Sequence, residues 1–281
     1  MLNENLLQVS ASIGATIYPQ DAADADQLLR HADQAVRAAQ LSRLTGAVSV
    51  GLASTTVAVL GLPLMRAMHE RYPDVRLHMV EGMSGHLSAL LNARELDLAV
   101  LFDARLQANP DTSASRLWQV QPLLSEDLFL ISRQADRERP AAMTLAELGD
   151  EPLILPTGPH GLRSTLDTAF AGAGIAPRVV LEVDSLAMVM AAVDAGLGST
   201  LQPWAALGRY PDAAQRFQCA RLTDAPARRV NLLCTLSDDE LSPAALAARV
   251  VLIDCVRTLV GEGRWFGATA LAAGPDTHHT S

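Results

Sequence analysis

A β-α-β-α-β alternation occurs twice along this chain, and it limits the fold more than any other feature. The first block runs AVSVGLA (47–53), a helical segment sharing Leu64, Met68 and Tyr72 on one face, VRLHMVE (75–81), a second helical segment with Leu87, Leu90 and Leu91, and LDLAVLF (96–102). The second runs PLILP (152–156), a helix over 163–170, PRVVLEV (177–183), a helix over 186–195, and GSTLQP (198–203). Such a rhythm predicts right-handed helical crossovers and a doubly wound sheet in each block. The nearly continuous apolar run at 96–102 suits a strand covered on both faces. LLSEDLFLIS (123–132) leads out of the first block, and RRVNLLCTL (228–236) leads back to it. The predicted fold is α/β, with two Rossmann-like lobes joined by a hinge. Lobe I takes about 45–121 and 222–262, and lobe II about 122–221. In the first helix, Ser54 to Thr56 reads as a polar lead-in and Pro63 as a first-turn residue. Residues 243–260 form a long amphipathic helix. The Gly/Ala-rich stretch 263–281 reads as a disordered tail.

Ahead of the lobes, residues 8–18 alternate as a strand and 24–40 read as a helix capped by Asp24, so 1–44 is an N-terminal strand-helix appendage. The chain has 49% hydrophobic and 19% charged residues, and no uninterrupted apolar run long enough to span a bilayer. The N-terminus lacks the basic, apolar and small-residue regions of a secretory signal, which points to the cytoplasm. Cys219, Cys234 and Cys255 are widely spaced and read as free thiols in a reducing compartment. A net charge of −9 argues against a surface that neutralises nucleic-acid phosphates. The sequence contains no lysine, which excludes Schiff-base chemistry, a P-loop lysine and a Ser-Lys pair.

Two lobes crossed once out and once back resemble the periplasmic-binding-protein type II architecture. The wording VSVGLA, LPLMRAMHERYPDVRLHMVEGMSGHLSALLNARELDLAVLF, LLSEDLFLIS, TLAELGDEPLILPTGPHGLRSTLD and EVDSLAMVMAAVDAGLGSTLQP resembles the effector-binding domain of LysR-type transcriptional regulators over about 45–260. ASIGATIYPQDAADADQLLRHADQAVRAAQ resembles the closing strand and helix of a GGDEF diguanylate cyclase domain. It departs from that family at Val36, Arg37 and Gln40, and without the upstream nucleotide-binding residues it implies no cyclase activity. The LysR resemblance implies a small-molecule sensor that regulates transcription, with a homodimer or a heterodimer with other LysR-type regulators as its assembly. The family's winged helix-turn-helix is not recognisable in these residues, so direct operator binding by this chain is not expected. A transport-type solute-binding protein, or a nonfunctional fusion carrying a cyclic-di-GMP-signalling remnant, is the alternative.

Candidate site residues follow from where turns meet helix starts. Ser54, Thr55 and Thr56 lie at the C-terminal edge of the first strand, where open α/β sheets bind ligands and where free N–H groups suit an anion. The resemblance implies effector contacts at this loop; helix capping is the plain alternative. Ser84 in EGMSGHL lacks the second glycine of G-x-S-x-G and any positioned base, so it reads as a cap or a ligand-loop residue, not a nucleophile. Thr157 and His160 in TGPHG face the first lobe across the predicted cleft. Asp184 and Ser185 cap the next helix. Thr200 is a ligand candidate through the resemblance, with Gln202 beside it near the hinge. Phe102 forms an apolar floor, with Asp103 at its edge. His69, His78 and His86 lack metal-ligand spacing, and no cofactor or metal is predicted. The predicted effector is anionic.

Overall fold

In the computed structural model, residues 44–102, 118–134, 138–158, 161–224 and 228–271 are described; the strand and helix expected over 8–40 lie outside them. Strand β1 (Gly46–Ala53) forms because Val48, Val50 and Leu52 alternate into a dry interior, none more than 1% exposed. It pairs in parallel with β2 (Val75–Gly82) on one side and β3 (Leu98–Leu101) on the other. Helix α1 connects β1 to β2 in three consecutive segments, Ser54–Thr56, Val57–Gly61 and Leu62–Arg71. Helix α2 (Ser84–Asn92) connects β2 to β3 and buries Leu87 and Leu91 against Leu96 and Ala99.

The start of α1 corrects an expectation. Ser54 to Thr56 is its first turn, not a lead-in, and Pro63 sits nine residues inside. Proline has no N–H for the ladder, and its ring crowds the carbonyl one turn back. The helix accommodates it by widening to the i+5 pattern over Val57–Gly61, immediately before the proline.

Strand β4 (Gln119–Arg133) joins the two lobes. The sheet of lobe II surrounds its second half. There β5 (Ala142–Met143) pairs with β9 (Phe217–Leu222), and β6 (Leu153–Leu155) pairs in parallel with β7 (Val179–Glu182). Helices α3 (Gly161–Ala173) and α4 (Leu186–Asp194) cover this sheet, β8 (Thr200–Pro203) lies beside β4, and the short helix α5 (Ala213–Arg216) precedes β9. Strand β10 (Arg228–Thr235) returns to lobe I, pairing with β3 and with the first half of β4. Helix α6 (Pro243–Gly261) packs on α1 and β1.

The neighbours of β4 change at one point. Up to Asp127 it pairs with β10; from Leu128 onward it pairs with β8 and β9. Nine strands connect along the path β2-β1-β3-β10-β4-β9-β5, with β8 and β11 (Ala268–Ala270) beside β4, as two sheets sharing this strand, while β6 and β7 form a separate two-stranded sheet. The strand starts at Gln119, ahead of the run 123–132 read as the lead out of the first block.

The predicted tail needs a second correction. Strand β11 (Ala268–Ala270) pairs antiparallel with β4 opposite Leu124 to Glu126, and Trp265 is 1% exposed. A large aromatic in a Gly/Ala-rich segment gains enough from burial to hold that segment on the sheet. Residues 272–281 lie outside the described residues. No helix among the described residues is long and apolar enough to cross a membrane.

Candidate functional site

A narrow slot lies between the C-terminal ends of the lobe I strands and the facing turns of lobe II, with a cavity volume of about 20 Å³, room for about one water. Its lobe I wall is Ala53, Ser54 and Thr55 at the start of α1, Gly82 and Met83 at the start of α2, and Phe102 after β3. The residues preceding α1 and α2 are Ala53 and Met83, which supply no side-chain cap. Their first-turn N–H groups therefore have no side-chain acceptor of that kind. The lobe II wall includes Pro156 after β6, Leu162 in the first turn of α3, Asp184 after β7, and Leu186 in the first turn of α4. Several helix N-termini thus converge on the slot, and each carries a partial positive charge.

The lobes touch beside the slot. A Cβ built on Gly161 would lie 2.7 Å from the Phe102 carbonyl oxygen, so only glycine permits this approach. Phe102 shares a core with Leu162 and Leu166 from lobe II. The lobes are therefore in direct contact here, with Phe102 of lobe I seated on α3.

A buried polar network forms the floor. Glu126 on β4 is 1% exposed and Arg229 on β10 is 4% exposed. Arg229 Nε donates to Glu126 Oε1 at 2.7 Å, and Nη2 donates to Thr55 Oγ1 at 2.5 Å and approaches Glu126 Oε1 at 2.6 Å. Asn231 Nδ2 donates to the same Glu126 oxygen at 2.7 Å, and Trp265 Nε1 donates to Oε2 at 3.0 Å. The guanidinium lies over the Phe102 ring, 3.9 Å from its centroid. Burial lowers the Arg229 pKa, and the Glu126 carboxylate opposes that shift. Arg229 Nη1 is the one buried side-chain nitrogen or oxygen among the described residues with no hydrogen-bond partner, and Arg229 lines the slot.

The structure brings together some of the predicted residues and separates others. Ser54, Thr55 and Phe102 line the slot. Thr56 is fully buried and turns away from it, its Oγ1 lying 3.5 Å from Asn231 Oδ1. Ser84 is 5% exposed, and its Oγ accepts from the Phe102 N–H at 3.3 Å; it fixes the slot's edge from behind. Thr157 is half-buried and donates to the exposed Asp184 through both its N–H and its hydroxyl, at 2.9 Å each, which positions a carboxylate on the lobe II wall. Thr200 is buried, donates to the Ile154 carbonyl at 2.7 Å, and serves the lobe II sheet. His160 and Asp103 lie outside the described residues. Ser185 caps α4, accepting from the Met188 N–H at 3.4 Å. No group of three or more metal-ligating side chains exists among the described residues.

Arg229 was not foreseen as a slot residue, nor was the role of Glu126. Arg229 and Asn231 alternate with Val230 and Leu232, and Glu126 lies in the polar run Ser125 to Asp127, patterns that read as a solvent-facing edge. Here that edge faces the floor of the slot instead. Gln202, 4% exposed, also lines the slot.

Comparison with known proteins adds an independent finding. Residues 42–255 match the profile of the LysR substrate binding domain family. The nitrogen assimilation regulatory protein nac of Klebsiella aerogenes is 29% identical over 234 residues, covering 82% of this chain and 72% of that protein. The Corynebacterium glutamicum OxyR C206 mutant superposes with a TM-score of 0.63 at 25% identity, covering 84% of this chain and 75% of that one. The effector binding domain of QuiR in complex with shikimate superposes with a TM-score of 0.64 at 17% identity, covering 76% and 99% respectively.

Proposed function

Since this chain belongs to the LysR substrate binding domain family, and carries an effector-sensing regulatory domain of that type, we propose that its effector is a small anion held in the slot between the lobes. The observation that carries this reading is the convergence of the α1, α2 and α4 starts on one slot, with α1 and α2 lacking a side-chain cap. Directed N–H groups in a water-poor slot favour negative charge. The shikimate found with QuiR is a carboxylate, and its domain shares this fold.

The effector acts by population shift. An anion that touches both walls binds the closed arrangement better than an open one, and only that difference can move the equilibrium. The hinge lies in β4 at Asp127 and Leu128, which supports a lobe I of about 45–127 and 228–271 and a lobe II between them. The chain acts as a sensor and not as a catalyst. Ser84, the nearest approach to a nucleophile motif, spends its hydroxyl oxygen on a backbone N–H. Ser54, Thr55, Phe102 and the turn holding Thr157 are the ligand-contacting set. The protein works in the cytoplasm as a homodimer or paired with another LysR-type regulator.

Thermal denaturation of the full chain against a panel of small carboxylates, neutral amides and sugars tests this reading. Carboxylates are expected to raise the midpoint in proportion to the logarithm of their concentration. A rise with sugars or amides and none with carboxylates would refute it.

A further inference from the structure

We infer that the segment from Trp265 to Leu271 is a strap across the hinge: it holds the two lobes at the angle seen here, and it loosens when that angle changes. The inference rests on the two-lobe reading with its hinge at Asp127 and Leu128. It does not depend on which effector fills the slot.

Consecutive residues of this segment grip different lobes. Trp265 belongs to lobe I: its N–H donates to the carbonyl of Leu259 in α6 at 3.0 Å, and its buried ring reaches the Glu126–Arg229 network, Nε1 donating to Glu126 Oε2 at 3.0 Å. Phe266 goes the other way. It is 55% exposed, and its ring lies 5.8 Å, centroid to centroid, from both Phe129 and Trp204. Phe129 follows the hinge on β4 and Trp204 follows β8, and both pack in the lobe II cluster around Ile131, Ile154 and Val189. Gly267 sits on the pivot. Its carbonyl accepts at 2.9 Å from the N–H of Asp127, the residue after which β4 exchanges lobe I neighbours for lobe II ones. Its φ is +73°, and a Cβ there would lie 2.9 Å from the Phe129 ring, so glycine is what lets the segment cross this close. Strand β11 then runs along the lobe I half of β4, and the Leu271 N–H donates to the Leu123 carbonyl at 3.0 Å.

Burial of Trp265 and the pairing of β11 fix the segment to lobe I without help from Phe266. The Phe266 ring adds something different, a restraint between the lobes. A rotation at Asp127 and Leu128 carries Phe129 and Trp204 with lobe II, while Trp265 and β11 stay with lobe I. Phe266 is one peptide unit from a buried tryptophan, so it cannot keep its seat through that rotation. Moving the lobes therefore breaks two aromatic contacts. The coupling is reciprocal: loosening the strap shifts the lobe populations, and shifting the lobes loosens the strap.

Hydrogen exchange of the full 281-residue chain tests this in both directions. Phe266→Ala removes a ring that is more than half exposed, so the variant is expected to keep its circular dichroism. Its exchange should quicken at least ~5-fold, the factor expected from losing one aromatic pair, in peptides covering the lobe contact at 98–102 and 162–170, far from the strap in sequence. Should Phe266→Ala lose its native circular dichroism, Gly267→Ala carries the same test, because its Cβ pushes the strap off the Phe129 ring. In reverse, Gly161→Ala crowds the Phe102 carbonyl at the lobe contact and should quicken exchange by a similar factor at 265–271. Exchange at the lobe contact that is unchanged when the strap is altered overturns the inference, whether or not 265–271 itself loosens. So does a Gly161→Ala chain that loosens at the lobe contact but not at 265–271; either result leaves the two lobes and their hinge standing. A Gly161→Ala chain with unchanged exchange at the contact as well overturns the strap together with the two-lobe reading.

Discussion

Replacing Arg229 by Met in the full chain isolates what the buried network contributes to stability. The substitution leaves Glu126, 1% exposed, with no cation and only the Asn231 and Trp265 donors. Breaking a buried ion pair by removing one partner costs about 3–5 kcal/mol, because the remaining charge stays buried without compensation. For a unit of this size, each kcal/mol moves the melting midpoint by roughly 2–4 °C, so a drop on the order of 6–20 °C is expected. Adding Glu126→Gln removes the stranded charge. It retains one amide oxygen, which can serve Asn231 or Trp265 but not both, and with Arg229 gone the cost of the unpaired Nη1 disappears, worth about 1–3 kcal/mol. The double variant should therefore recover at least half of the loss. Urea titrations followed by far-ultraviolet circular dichroism measure both. A single variant that costs less than about 1 kcal/mol, or a double variant that costs the sum of the two singles, would refute the network as described.

Three further outcomes are expected. Gly161→Ala places a Cβ 2.7 Å from the Phe102 carbonyl oxygen, so it should wedge the lobes apart, seen as a larger radius of gyration in small-angle scattering and weaker effector binding; an unchanged radius with unchanged binding would contradict the closed contact. Burial pushes the Cys219 thiol up to about 11, so at pH 8 its thiolate fraction is roughly 0.1% and alkylation should leave it unmodified until urea unfolds the chain; labelling at the rate of a free thiol would contradict this. Asp238 is held low by Arg249, and Glu240 first by Arg94 and then by Ser237. Folded carboxylate pKa values below the unfolded ones give stability that is present above the ordinary carboxylate range and lost as pH falls through the folded values. Lower urea midpoints are thus expected between about pH 5 and 3, with Asp238→Asn flattening the slope, and a modest effect because these exposed groups are screened by solvent and salt.

Much of the fold could be read from residue order, because β-α-β units carry strong periodic signals. Val48, Val50 and Leu52 mark a half-alternating strand, and Leu98 to Leu101 a strand buried on both faces. The misreadings have physical causes. Pro63 looked like a helix start because proline usually sits there, and a widened turn that admits it mid-helix leaves no separate trace in the sequence. The stretch after Gly261 looked structureless by composition, while one tryptophan outweighs several glycines once a sheet edge is available to receive it. The slot's rim was legible because hydroxyl-bearing turns follow strands. Its floor was not, because Glu126 lies 103 residues from Arg229 and meets Arg229 and Asn231 only where β4 and β10 pair.

A slot that both lobes build and one ligand fills is the central claim. Hydrogen exchange of the full chain, with and without a saturating carboxylate identified by titration, measures that directly. Protection should rise together in peptides covering the starts of α1 and α2 on lobe I and the turn at Thr157 and Asp184 on lobe II. Protection confined to a single lobe, or lying away from these turns, would contradict it.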